Sequence, residues 1–251
     1  MSDAAARTDQ DRAKQAAADA ALKEFVRDGM VLGLGSGSTS LRFVRALGAA
    51  VAQGLEVTAV PSSTTTRELA FELGVPLATF AEVQHLDLTI DGADEVDPDG
   101  NMLKGGGGSL LWERIVAGAS DRMVAMVDPS KTVERLGAFP LAIEVVRFGW
   151  ESTRASLERT LAALGHPEPK LVLRTNTDGS PFTTDSGNHI LDAHLGAIDN
   201  PLELDARINW VPGAVEHGLF TGVAKAVVLG RPDGSHEVRD TAANPAARAL
   251  R

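Results

Sequence analysis

Cysteine is absent from this chain, so it forms no disulfide and offers no thiolate to a metal ion. That suits a reducing compartment. No apolar run approaches the ~18–20 residues that a membrane-spanning helix needs, and no membrane partner is expected. The opening residues, MSDAAARTDQDRAKQAAADAAL, lack the apolar core of a secretion signal and carry Asp throughout. The expected location is the cytoplasm. Basic residues are the minority: 24 Lys and Arg stand against 34 Asp and Glu, a net charge of −10. That balance argues against nucleic acid or an anionic membrane as a partner.

Familiar catalytic signatures are missing too. The six His are scattered, no H-E-x-x-H occurs, and His189 and His194 fall on opposite faces of an expected strand. A His-based metal site is therefore not expected. There is no G-x-S-x-G, and Ser109 has no evident base. Neither an internal repeat nor a low-complexity linker is present.

What the chain does have is an ordinary globular composition, 43% hydrophobic and 23% charged, over 251 residues. That is enough for one large or two modest domains. The first half alternates short apolar runs with helical stripes. A helix is expected over 8–26, strands at 30–35, 55–60, 86–91 and 122–128, and helices from about 41 to 51, 64 to 73 and 109 to 119. Strands alternating with helices predict an α/β fold, a mostly parallel, Rossmann-like sheet with helices on both faces. Its ligand site is expected at the carboxyl ends of the strands.

The pattern changes near Pro140. Strands at 141–146, 170–175 and 189–195, with helices at 151–164 and 201–210, predict a smaller α+β domain with antiparallel strands. Gly179 and Gly187 mark its hairpin turns. After Pro212-Gly213 two further strands, 225–230 and 236–240, are expected to rejoin the first sheet. The predicted division is 1–139 with 213–251 as the large catalytic domain, and 140–212 as the smaller one. The last residues, TAANPAARALR, read as loosely held.

Chemistry concentrates in Leu88–Ala117, LTIDGADEVDPDGNMLKGGGGSLLWERIVA. Asp91 and Asp94 lie at a strand end and in the turn after it. Lys104 precedes the four glycines Gly105–Gly108, and Glu113 sits inside the apolar run that follows. Four consecutive glycines are costly in conformational entropy, which implies positive φ or close approach of backbone to a ligand. A second glycine turn, GLGSGSTS (33–40), follows a strand and opens a helix. Its N–H groups and the Ser36, Ser38 and Thr39 hydroxyls suit a phosphate at a helix N-terminus. It is not the dinucleotide fingerprint, because Ser38 stands where the third glycine belongs, and no P-loop lysine follows.

The acidic run from Asp91 to Asp99 does not make a calcium loop. With Gly100 in register as that loop's glycine, Gly106 falls where a bidentate Glu must be. Asp97-Pro98-Asp99-Gly100 reads instead as a solvated turn. Periodicity alone puts Glu113 on the solvent side of its helix, since helices bearing Leu110, Leu111, Ile115 and Val116 usually show their Glu to water.

GSGST (35–39), DGADE (91–95), LKGGGG (103–108), the W-E-R-I of the following helix and DPSK (128–131), at these spacings, closely resemble type A ribose-5-phosphate isomerase. The likeness runs nearly end to end. It implies interconversion of ribose 5-phosphate and ribulose 5-phosphate through an enediolate, without a metal or organic cofactor. By this resemblance Glu113 is the base moving a proton between C1 and C2. Asp91 and Asp94 handle the sugar hydroxyls and ring opening, and Lys104 steadies the enediolate oxygen. Ser36, Gly37, Ser38, Thr39, Gly92, Ala93, Gly105, Gly106, Gly107 and Lys131 fall on substrate-binding positions, with Lys14 as an addition. For that role Glu113 is expected to be partly desolvated, with a raised pKa. The resemblance also implies a homodimer or a dimer of dimers. A few extra N-terminal residues and the insertion-like NTDGSPFTTDSG (176–187) depart from the family pattern.

Two rivals remain at this stage. A sugar-phosphate-sensing domain of the same fold would have no need of Glu113 and would accompany a DNA-binding segment, of which the chain shows no sign. A deaminase or CoA transferase of related fold is the other. A deaminase would be expected to use a His near the Asp pair, and the nearest in sequence is His85.

Overall fold

Alanine has the highest helix propensity of any residue, and the Ala-rich start of the chain forms the longest helix, α1 (Asp3–Phe25). The computed structural model describes residues 3–241. After α1 come β1 (Val31–Leu34), α2 (Gly37–Val51), β2 (Thr58–Pro61), α3 (Thr64–Glu72), β3 (Leu88–Gly92), β4 (Glu95–Val96) and β5 (Met102–Leu103). There follow α4 (Leu110–Gly118), β6 (Met123–Val127), a 3₁₀ turn (Pro129–Lys131), β7 (Leu141–Val145), α5 (Trp150–Ala163) and β8 (Lys170–Leu173). The chain continues with β9 (His189–His194), α6 (Pro201–Ile208), β10 (Ala214–His217), β11 (Leu219–Phe220), β12 (Ala224–Gly230) and β13 (His236–Asp240). The expectation for the terminal TAANPAARALR falls on residues 242–251 beyond Thr241, outside the described residues.

By contacts the described chain divides into two units: 3–93, 112–132 and 223–241 in one, and 94–111 with 133–222 in the other. The sequence-based division instead placed 94–111 and 133–139 with the large domain, and 213–222 there too. The difference has a physical reason. β4, β5 and β11 pair into a three-stranded antiparallel sheet, so their backbone hydrogen bonds are made within the second unit. Two-residue strands carry no period to read, and β4, β5 and β11 were not expected.

The first unit holds a six-stranded sheet ordered β13-β12-β6-β3-β1-β2, parallel except for the β12/β13 pair. β1 (VLGL) and β6 (MVAMV) are apolar on both faces, and all five residues of β6 are buried, as a sheet covered by helices requires. One core joins Ala17, Ala18 and Ala21 of α1 with Phe43 and Leu47 of α2 and with Leu32, Leu34 and Ile90 of the sheet. The order reverses between β1 and β3. From β1 the chain steps outward to β2, then crosses back to β3 and on to β6. Adjacent strand ends at such a reversal leave a crevice, which is where ligands of open α/β sheets bind.

The second unit contains the short three-stranded sheet and a four-stranded antiparallel sheet ordered β10-β7-β9-β8. Leu141, Ile143 and Val145 of β7 pack with Leu157 and Leu161 of α5 and Leu204 and Ile208 of α6. The expected Asp97–Gly100 turn joins β4 to β5, with Gly100 at φ +79°. Asp97 itself is half-buried and holds Asn101 through its backbone N–H (2.8 Å) and its amide (2.9 Å). Among the described residues no helix is long and apolar enough to cross a membrane.

Buried Glu144 on β7 yields a stability prediction. Its carboxylate accepts the Thr184 hydroxyl (2.8 Å) and the Asn188 amide (2.9 Å). Burial pushes its pKa above the ordinary carboxylate value, outweighing those bonds, and the charges of Glu216 and Asp185 push the same way. A raised carboxyl pKa means the fold favours the protonated form. Its contribution is full below the unfolded-state pKa and is lost as pH rises through the folded-state value. Glu144→Gln keeps the two acceptor bonds and removes the charge. Thermal melts should place it above the parent at pH 7 by about 2–4 °C, for a gain on the order of 1 kcal/mol, and level with it near pH 4.

Candidate active site

In the first unit the turn after β1 meets the end of β3. β1 and β3 run in register, Leu34 opposite Ile90, and the Gly35 N–H continues the ladder to the Ile90 carbonyl at 2.9 Å. That ladder brings Ser36, the residue after Gly35, beside Asp91, the residue after Ile90. Asp91 is 1% exposed, and its Oδ1 accepts the Ser36 N–H (3.0 Å), the Ser40 hydroxyl (2.9 Å) and its neighbour's Gly92 N–H (2.7 Å). Ser40 in turn accepts the Gly92 N–H at 3.0 Å. Three donors on one oxygen fix the orientation of the carboxylate.

Ser36 is the N-cap of α2 by backbone conformation, yet its side chain does not cap the helix. Its hydroxyl donates instead to Glu113 Oε1 at 2.5 Å. Glu113 is 4% exposed. The same turn is pinned from a third side by Thr66, whose hydroxyl donates to the Gly35 carbonyl at 2.9 Å. Gly37 (φ +83°) and Ser38 are exposed and Thr39 is buried at the start of α2. The first N–H groups of a helix lack intrahelical acceptors and carry its positive end, chemistry that favours an anion.

Lys131 is half-buried at the end of the 3₁₀ turn that follows β6, the neighbour of β3. Asp128 caps that turn, accepting the Ser130 N–H (2.9 Å) and hydroxyl (2.5 Å). Gln10 of α1 reaches both Asp128 and Ser130, each at 3.3 Å. Lys14 is half-buried one helical turn after Gln10, on the same face of α1. His85, the histidine weighed against the Asp pair, is 64% exposed and reaches Asp121 at 3.0 Å.

In the second unit Asp94 and the glycine run face each other. Asp94 Oδ2 accepts the Gly106 N–H at 2.8 Å, while the Asp94 N–H donates to the Leu103 carbonyl at 2.8 Å. A Cβ on Gly106 would come within 2.9 Å of Asp94 Oδ1 and 3.0 Å of the Phe139 ring, so a side chain here would press on both. Gly105 adopts φ +101° and Gly108 φ +84°. Gly106 and Gly107 are exposed. Lys104 is 3% exposed, its N–H donates to the Gly218 carbonyl (2.8 Å), and its ammonium lies 5.7 Å from the Phe220 ring centroid. That distance suits a cation–π contact. Buried Glu95 organises the neighbouring loop by accepting the Gly137 (2.7 Å) and Phe139 (2.5 Å) N–H groups.

The sequence profile of ribose 5-phosphate isomerase A (phosphoriboisomerase A) matches residues 58–234. The chain belongs to this family. A ribose-5-phosphate isomerase A of Ruegeria sp. (strain TM1040) is 52% identical over 231 residues, covering 92% of this chain and 87% of the relative. One from Yersinia pseudotuberculosis is 49% identical over 232 residues, covering 92% and 98%. Among solved structures, the ribose 5-phosphate isomerase of Plasmodium falciparum superposes with TM-score 0.86 at 31% identity, covering 92% of this chain and 98% of that one. A D-ribose-5-phosphate isomerase in complex with phospho-erythronic acid gives 0.84 at 35% identity, covering 90% and 97%. Family membership agrees with the parallel sheet and the separate antiparallel unit described above.

Within the first unit, then, Ser36, Gly37, Ser38, Thr39, Asp91, Gly92 and Glu113 cluster at one end of the sheet. Ala93 ends the first segment of that unit, and Asp94, Lys104, Gly105, Gly106 and Gly107 lie in the second. Sequence reasoning missed Ser40 and Thr66, which hold Asp91 and Gly35, and Arg174, which holds the glycine run. Ser40 lay in plain view within GLGSGSTS. Arg174 is remote in sequence from every motif and carried no signal. Among the described residues no group of three or more His, Asp or Glu is placed to hold a metal ion.

Proposed function

We propose that this chain interconverts D-ribose 5-phosphate and D-ribulose 5-phosphate with Glu113 as the proton-moving base. The observation that carries the reading is a buried carboxylate, Glu113, hydrogen-bonded to Ser36 in the turn that opens α2. A glutamate held out of water beside an anion-receiving turn is what proton abstraction next to a carbonyl on a phosphorylated sugar requires. A sensing domain would have no use for it.

In this proposal the phosphate sits on the Ser36–Thr39 turn, with Lys131 and Lys14 supplying positive charge inside a chain of net charge −10. Asp91 and Asp94 bind the sugar hydroxyls and move the protons that open the ring, with Gly92 and Ala93 along the substrate. Glu113 takes the C2 proton of the open aldose, the C2–H electron pair forms the enediolate C=C bond, and the charge moves to O1. Lys104, with the Gly105–Gly107 backbone, stabilises that oxygen. A proton passes from the O2 hydroxyl to O1 as Glu113 returns its own proton to C1, and O2 becomes the ketone. Aldose and ketose are isomers, so no electron acceptor is consumed. Binding energy from the phosphate end orients C1 and C2 against the base. We assign the enzyme to the cytoplasm, consistent with its lack of cysteine. We assign its assembly to a homodimer or a dimer of such dimers.

Chelator-treated protein supplied with ribose 5-phosphate is expected to yield the ketose, and failure of the wild-type protein to do so would sink the reading. In the same assay Lys131→Ala should raise KM about tenfold, through loss of one charge-assisted contact, with a smaller drop in kcat. An unchanged KM would remove Lys131 from the phosphate site.

A further inference from the structure

Arg174 lies just beyond β8, sixty-eight residues or more from the glycines it holds. Each nitrogen of its guanidinium donates a hydrogen bond. Nε and Nη2 grip Asp192 of β9 at 2.9 and 2.5 Å, and Nη1 donates to the Gly105 carbonyl at 2.7 Å and to the Gly106 carbonyl at 3.2 Å. Both side chains are largely shielded, 15% and 18% exposed. The Phe182 ring lies 5.8 Å from the guanidinium carbon, and the Phe182 N–H donates to the Arg174 carbonyl at 2.9 Å. A charged residue held this way makes hydrogen bonds about twice as strong as neutral ones.

The consequence for the glycine run follows from peptide geometry. A trans peptide is planar, so its N–H points opposite to its C=O. The Gly105 carbonyl faces Arg174, and the N–H of the same peptide group, on Gly106, points the other way to Asp94 Oδ2 at 2.8 Å. The Gly106 carbonyl also faces Arg174, which turns the Gly107 N–H away from the guanidinium as well. Glycines resist neither orientation on their own, because they populate positive and negative φ almost equally. The Gly105 carbonyl is held by two partners, the Gly108 N–H within the run at 3.0 Å and Arg174 from outside it, and the Gly106 carbonyl by Arg174.

We propose that Arg174, locked by Asp192, is a positioning residue for catalysis: it sets the Gly105 and Gly106 peptides so that the Gly106 and Gly107 N–H groups are presented to substrate and Asp94. This rests on the assignment of Lys104–Gly107 to substrate binding. Lysine cannot replace it, since one ammonium cannot grip a carboxylate bidentately and two carbonyls at once. The alternative role for the pair is purely structural, a clamp between β8 and β9.

Kinetics and melting of Arg174→Met, Arg174→Lys and Asp192→Asn separate the two. Positioning predicts that folded Arg174→Met and Arg174→Lys lose about 10- to 100-fold in kcat, as for a misaligned donor in an active site. Competitive inhibition by inorganic phosphate should be unchanged, and millimolar methylguanidinium should restore part of the Arg174→Met rate. Asp192→Asn should show a smaller kcat loss in the same direction. A folded Arg174→Met with wild-type kcat overturns the proposal, and if that variant fails to fold, a wild-type kcat in Asp192→Asn does so. A kcat loss that melting data account for entirely, with no methylguanidinium rescue, also overturns it. Wild-type protein inactive on ribose 5-phosphate would instead overturn the functional reading beneath.

Discussion

Glu113→Gln is expected to cut kcat by about 100- to 10,000-fold, the usual share of a positioned general base. Gln is nearly isosteric and its amide oxygen can still accept the Ser36 hydroxyl that now lies 2.5 Å from Glu113 Oε1. The turn that opens α2 should therefore keep its shape, and inorganic phosphate should still compete with substrate. What disappears is the basic oxygen, so exchange of the substrate's C2 hydrogen with solvent should fall in parallel with turnover. The two rates together are decisive. Exchange persisting near the wild-type rate would mean that another group takes the proton. A fall in both accompanied by lost phosphate inhibition would point to a collapsed turn.

Gly35→Ala is the second large effect, and it arises from distance alone. A Cβ at Gly35 would lie 1.9 Å from Asp91 Oδ1 and 2.5 Å from Asp91 Cβ, far inside van der Waals contact. Asp91 cannot swing aside cheaply, because Ser36, Ser40 and Gly92 all donate to that same oxygen. Overpacking of this kind typically costs about 1–3 kcal/mol, readable as a lower melting temperature. The catalytic loss should be larger, since a shift of about 1 Å at a reacting geometry costs on the order of 100-fold. Gly107→Ala is the matched control for the fold, because a Cβ there meets nothing within 4 Å. A Gly35→Ala enzyme with wild-type kcat/KM would show that Asp91 and Ser36 need not be held so tightly, and the account of this crevice would have to be abandoned.

The phase of α4 shows how the sequence misleads. Counting Leu110, Leu111, Ile115 and Val116 as the apolar stripe turns Glu113 to solvent. In the folded chain the buried face runs through Leu110, Glu113, Val116 and Ala117, at the i, i+3, i+6 and i+7 spacing of one helical side, and Ile115 is left 49% exposed. The helix is apolar nearly all round, so periodicity could not choose its inner face. Ser36 was legible as a polar group in a glycine-rich turn, but not as the partner of a buried carboxylate 77 residues away. Arg174 was invisible for the same reason.

By itself the sequence determined the alternation of strand and helix, the two glycine-rich turns and the acidic pair at the end of β3. Each is a local property: hydrophobic period, φ preference, spacing along a few residues. Tertiary structure alone decided which face of α4 is buried and which oxygen of Asp91 collects three donors. It also decided that 94–111 belongs with the antiparallel unit, and which distant arginine orients the glycine peptides. Those outcomes depend on strand order and register, which bring together residues far apart in the chain, and no local pattern encodes which of them will meet.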